Sequence, residues 1–182
     1  FVVFAVLERR STHPVLELAL LRGGPFTGWL LAALTTALGT VGVLVYLPTY
    51  LQGAGTFSAG DAGTLMLAMT LPVLAVPPLA GKLVNQGMSA RLLITLAITL
   101  IAVGNAWMTV LAPDSRSVQL IGPLLLIGVG NGLAAALVDA QAMEHVAPER
   151  IGMASGLLNT ARGGANALVL AVFGAGLITL MQ

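Results

Sequence analysis

The chain has 182 residues, of which 57% are hydrophobic and only 8% charged, with a net charge of +1 and a mean hydropathy of +0.96. Eight Lys/Arg and seven Asp/Glu cannot wet the surface of a soluble domain, where about a quarter of residues are charged, and they form no basic stripe for nucleic acid. The hydrophobicity excludes disorder, and the absence of cysteine removes disulfide frameworks, thiolate metal sites and cysteine nucleophiles, which leaves a polytopic membrane protein.

In chain order, Phe1–Leu7 reads as the tail of an earlier span. Glu8-Arg9-Arg10 follow that apolar run instead of preceding it, which argues against a signal peptide. A chain that opens without Met inside such a run is expected to be a fragment. Residues 8–22 form a polar link, and between Arg22 and Lys82 the only charge is Asp61. That window is too long for one span, which needs about 20 residues, and the Gly-rich polar stretch from Gln52 to Asp61 divides it. Residues 92–113 and 117–138 are each free of charge for 22 residues, and 163–182 for 20. At 1.5 Å rise, a 22-residue helix is roughly 33 Å long, enough for a hydrocarbon core about 30 Å thick.

The predicted spans are therefore 27–51, 61–83, 91–112, 118–141 and 152–181. The run from Arg91 to Gly104 lacks the alternation of a membrane barrel strand. The expected fold is all-α, a transmembrane bundle of five full spans and the tail of a preceding one. The loops 8–22, 82–91 and 143–151 hold Arg9, Arg10, Arg22, Lys82, Arg91 and Arg150, while the alternate loops hold only Arg116. Six against one places the first set in the cytoplasm.

Within the first predicted span, Thr35, Gly39, Gly42 and Tyr46 step by four, three and four, with Gln52 beyond them. That face is either a pathway lining or a tight packing seam. Trp29 and Trp107, near span ends, read as interface anchors, and Asp61 as a helix cap. Pro72, Pro77, Pro78 and Pro123 lie inside spans, where they either kink a helix or suit it to gating. Gly128-Val129-Gly130-Asn131-Gly132 and Gly152-Met153-Ala154-Ser155-Gly156 carry the spacing of close helix packing, and Gly163-Gly164 marks a further close approach.

Two charges fall at or inside span interiors. Asp139 adjoins the inner end of the fourth predicted span, where desolvation would favour its neutral form and suit it to bind a proton or an organic cation, while Arg162 would favour the anion. The alternative is an interfacial carboxylate in contact with water. Ser155, Asn159, Arg162 and Asn166 form one helical stripe that avoids lipid, lining a cavity or serving structure. There is no G-x-x-x-x-G-K-[ST] for ATP and no H-E-x-x-H, and His13 and His145 occupy separate loops. Ser155 has no later His to act as base. Neither an enzyme nor a cofactor or metal site is expected.

Taken together, these features resemble the C-terminal half of a major facilitator superfamily transporter, in particular the 14-span drug:H⁺ antiporters of the QacA/EmrB type. The residues that carry the resemblance are the link Glu8-Arg9-Arg10 with Pro14, the outer Tyr50-Leu51-Gln52-Gly53, and the inner Gly81-Lys82-Leu83-Val84-Asn85-Gln86-Gly87 ending at Arg91. Asn85 replaces the Asp and Gln86 the Arg of that family motif, which keeps the tight turn without the charge relay. The family's G-x-G-x-G span matches Gly128, Gly130 and Gly132, and its R-x-G-x-A-S-G-L-x-N-T-x-R run matches Arg150 to Arg162.

The resemblance implies proton-driven export of drugs or other small amphipathic compounds by alternating access. Its partners would be the lipid bilayer, a small-molecule substrate, protons and the N-terminal half of the same chain, with no nucleic acid. Pathway or coupling candidates are Asp139, Asn159, Arg162, Asn166, Tyr46 and Gln52; the conformational motif would comprise Gly81, Asn85, Arg91, Gly128 and Gly132. The alternatives are a metabolite symporter of the same superfamily and a permease subunit served by an ATPase. Seven Arg to one Lys, with abundant Ala, Gly and Leu, suggest a GC-rich bacterial source and hence a bacterial inner membrane.

Overall fold

The computed structural model describes residues 24–53, 57–110 and 117–180. The expected tail Phe1–Leu7, the link 8–22 with Arg9, Arg10 and Arg22, and Arg116 of the expected outer loop lie outside the described residues. Five long helices account for the apolar segments: α1 (Pro25–Gly53), α2 (Ala59–Asn85), α3 (Ala90–Val110), α4 (Ser117–Glu144) and α5 (Ile151–Leu180). A short 3₁₀ turn, Pro148–Arg150, opens α5, and no strand occurs among the described residues. The first four helices are long and apolar enough to cross a membrane. The fifth is 30 residues long and carries Asn159, Arg162 and Asn166 within its length.

Local chemistry sets the helix ends. The Ser58 hydroxyl caps α2 by accepting from the Asp61 N–H at 3.1 Å, and donates to the Asp61 carboxylate at 2.7 Å. Asp61 therefore sits in the first turn, and the cap expected of it belongs to Ser58, three residues earlier. At the other end of α2, Gly87 takes φ +94°, a backbone conformation that costs a side chain energy but not glycine. The Met88 N–H then reaches the Leu83 carbonyl at 3.1 Å and the Gly87 N–H reaches Val84 at 2.9 Å, the two bonds of a Schellman stop. The tight turn after α2 thus rests on Gly87. Gly81, Asn85 and Arg91 are exposed beside it, and a Cβ on Gly81 would meet nothing within 4 Å.

Helix α4 is the hub, with α2 and α3 packed along its two sides; α1 lies against this trio and α5 packs chiefly on α1. The glycines of the G-x-G-x-G run make the arrangement possible, because successive ones point to different neighbours. A Cβ on Gly128 would enter the Met69 carbonyl, and one on Gly132 would lie 2.8 Å from the Pro72 carbonyl, both on α2. A Cβ on Gly130 would lie 2.6 Å from the Ala97 carbonyl on α3. In lipid no hydrophobic force draws helices together, so such backbone approach supplies the dispersion contacts that hold them.

The second expected glycine contact does not form: Gly152, Gly156, Gly163 and Gly164 have nothing within 4 Å of a Cβ among the described residues. Their spacing matches that of a packing motif, but α5 turns this side away from its neighbours. Trp29 is likewise not an interface anchor. It is 7% exposed and packs among Phe26, Ala33, Leu93 and Leu137. Large apolar side chains such as Leu74, 77% exposed, cover the outside, as expected where the solvent is hydrocarbon.

Candidate functional site

A cavity of about 270 Å³ lies where α1, α4 and α5 meet. Helix α1 contributes Thr36 and Thr40, one turn apart, with the small Ala33 and Ala37 beside them. Helix α4 contributes Asn131, Ala134, Ala135 and Asp139, and α5 contributes Arg162 and Asn166. The alanines leave the volume and the six polar side chains face it. In helices otherwise this apolar, that gathers six polar side chains at one junction of three helices.

Its charge is balanced. The Arg162 guanidinium meets Asp139 with both terminal nitrogens, at 2.9 Å to Oδ1 and 3.2 Å to Oδ2, a two-pronged charge-assisted pair. Arg162 is 27% exposed and Asp139 58%, so water shares in solvating the pair. Arg162 lies eleven residues into α5, roughly 16 Å along its axis, so the pair ties the middle of α5 to the end of α4.

The hydroxyls differ. Thr36 donates back to Ala32 and Ala33, at 2.9 and 3.1 Å. The Thr40 hydroxyl is buried and has no partner.

Of the residues expected to line a pathway, the structure brings Asp139, Arg162 and Asn166 together in this cavity. Asn159 is exposed and outside the lining. Gln52 is also elsewhere: its amide donates to the Pro48 carbonyl at 3.1 Å, within its own helix. Tyr46 is a structural tie, donating to the Leu170 carbonyl at 2.7 Å while its ring stacks on Phe173 at a centroid distance of 5.6 Å. It borders a separate apolar groove of about 690 Å³ between α1 and α3.

The stripe Thr35–Gly39–Gly42–Tyr46 packs as a seam in part, and Gly39, Gly42 and Tyr46 also line that groove. Gly39 faces Ile101, its carbonyl accepts from Asn105 at 2.9 Å, and Gly42 faces Phe173 and Val169. Thr36, Thr40 and Asn131 were not expected in the site. The two threonines sit one residue off the seam, and Asn131 is hidden within the glycine run.

A multi-pass helical bundle with a polar, charge-paired cavity between its helices is the architecture of a membrane transporter. The sequence comparisons agree. The Major Facilitator Superfamily model matches residues 4–170, and the chain belongs to that family. Membership places it among integral membrane transporters rather than enzymes.

Among its relatives, it is 29% identical to the multidrug resistance protein Stp of Mycobacterium tuberculosis, over 94% of the chain and 32% of that protein. It is 34% identical to the cephamycin export protein CmcT of Amycolatopsis lactamdurans, over 95% of the chain and 37% of the relative. The quinolone resistance protein NorB of Staphylococcus aureus is 27% identical over 96% of the chain and 38% of its own length. The chain thus spans about a third of the length of the curated relatives it matches.

Proposed function

We propose that the complete protein is a proton-coupled exporter of small amphipathic compounds in a bacterial inner membrane, working by alternating access. This chain would supply part of the C-terminal half, which rocks against an N-terminal half around a site near the midplane. The loops carrying Lys82, Arg91 and Arg150 face the cytoplasm in this reading. One observation carries the proposal: the cavity between α1, α4 and α5, whose only two charges, Asp139 and Arg162, are paired across two helices. The name of CmcT, an export protein, supports export, that of Stp, a multidrug resistance protein, supports drug-like substrates, and their bacterial sources support the membrane.

The pair offers a route to coupling. Protonation of Asp139 would remove one charge, weaken the tie to Arg162 and free α5 to move relative to α4. Proteoliposomes holding the complete protein test the reading. An imposed pH gradient alone, without ATP, is expected to drive saturable drug accumulation that a protonophore abolishes. Transport that requires ATP would indicate a permease subunit instead, and drug movement in the same direction as protons a symporter. If Asp139→Asn leaves the pH dependence of transport intact, the proton is carried elsewhere.

A further inference from the structure

We infer that the cavity between α1, α4 and α5 recognises an uncharged hydrogen-bonding group of the substrate, such as an amide or a carbonyl beside a hydroxyl, and not a quaternary cation. The inference rests on the exporter reading and adds the substrate class to it.

The first ground is electrostatic. Asp139 is the only carboxylate lining the cavity, and both its oxygens are engaged by Arg162. A cation entering here meets a site of zero net charge. A cation could bind Asp139 only by displacing the Arg162 guanidinium, which already holds both carboxylate oxygens.

The second ground is the unused hydrogen-bonding capacity. Thr35, Thr36, Thr49, Thr70, Thr95 and Thr99 all donate to a carbonyl one turn back in their own helices. Thr40 does not: its hydroxyl is buried, the residue is 7% exposed, and it lines the cavity without a partner. Asn131 and Asn166 line the same space, and neither carboxamide bonds to another described residue. Three helices thus offer one hydroxyl and two carboxamides, each able both to donate and to accept. A ligand group with the same dual character satisfies all three, whereas a quaternary cation, which has no N–H or O–H to donate, satisfies none.

The third ground is size. About 270 Å³ falls below the range of roughly 300–1,000 Å³ typical for a whole drug-sized ligand, so the cavity takes a polar head group. Val41 and Leu44, further along the same face of α1, give the apolar remainder a surface to lie on.

The complete protein in proteoliposomes under an imposed pH gradient provides the test, with chloramphenicol as an uncharged hydroxylated amide and tetraphenylphosphonium as a permanent cation without hydrogen-bonding groups. Wild type is expected to transport chloramphenicol saturably. Thr40→Val, nearly the same shape without the hydroxyl, is expected to raise its KM about fivefold, the loss of one hydrogen bond, and Thr40→Ser to restore it. Any tetraphenylphosphonium transport should be unmoved by Thr40→Val. If tetraphenylphosphonium is carried and chloramphenicol is not, or Thr40→Val changes both or neither, the inference is overturned while the exporter reading stands. If neither compound moves in the wild type, both fall.

Discussion

The closest helix contact in the structure gives the sharpest prediction. In Gly128→Ala the new methyl would enter the Met69 carbonyl and lie 3.0 Å from the Met69 carbonyl carbon and Cα. The obstruction is backbone, which cannot rotate away. Helices α2 and α4 must therefore separate by about 1 Å, and a gap of that size forfeits up to half of each dispersion contact along the interface. Gly132, 2.8 Å by the same measure from the Pro72 carbonyl, extends the damage by a further turn.

Overpacking of this kind costs about 1–3 kcal/mol, and the upper part of the range applies because nothing in the obstruction is flexible. The helix propensity gained by Ala returns up to about 1 kcal/mol. A net loss of about 2 kcal/mol should appear in thermal or denaturant unfolding of the complete protein in detergent. Gly63→Ala in α2, where a Cβ meets nothing within 4 Å, should be neutral or slightly stabilising. Met69→Ala cannot rescue Gly128→Ala, since the clash is with the main chain. By contrast Gly39→Ala meets the Ile101 Cγ2 at 2.6 Å, so the double variant with Ile101→Ala should lose less than the two singles summed. Wild-type stability in Gly128→Ala, or its rescue by Met69→Ala, would refute the packing argument.

The ion pair makes a second prediction: a double-mutant cycle of Asp139→Asn and Arg162→Gln should show coupling of about 1 kcal/mol, held down because Asp139 is 58% exposed, and high salt should reduce it. Coupling indistinguishable from zero at low salt would mean that the pair does not tie α4 to α5. Tyr46→Phe deletes the bond to Leu170 but keeps the stacking on Phe173, and should cost about 1 kcal/mol of stability in the same unfolding assay. Gly87→Ala forces a side chain into a φ of +94° and should cost about 1–2 kcal/mol, whereas Gly81→Ala at the same end of α2 should be tolerated.

The helices were legible because charge is expensive in hydrocarbon: fifteen charges in 182 residues punctuate the apolar runs. The G-x-G-x-G contact was legible for a related reason, since only glycine lets two backbones meet. Glycine spacing does not say which neighbour is present, however, and so the Gly152–Gly156 pair resembles Gly128–Gly132 while touching nothing in this chain.

Asp139 and Arg162 were readable as a pair from their opposite charges near one end of two adjacent spans. The α1 side of the cavity was not. Threonine in a helix usually bonds to its own backbone, so Thr40 and Thr35 look alike in sequence, and only packing distinguishes the one whose hydroxyl is left over. Trp29 was misplaced because a large ring near a span end can face either the lipid headgroups or the core. Nothing local decides between them.

The two kinds of contact divide the bundle mechanically. Helix α4 meets α2 and α3 backbone to backbone through Gly128, Gly130 and Gly132, and a close-packed seam of that kind has one low-energy register. Helix α5 is held differently. It rests mainly on α1, through the Tyr46–Leu170 bond and the Phe173 stack, and meets α4 through the Asp139–Arg162 pair.

Polar ties can be exchanged for bonds to water or ligand at little net cost, whereas a glycine seam that opens leaves a void. Relative movement within these helices therefore falls first between α5 and α4. The cavity sits on that same boundary, so a group binding Asn131 on one wall and Asn166 on the other would sense, and bias, the position of α5.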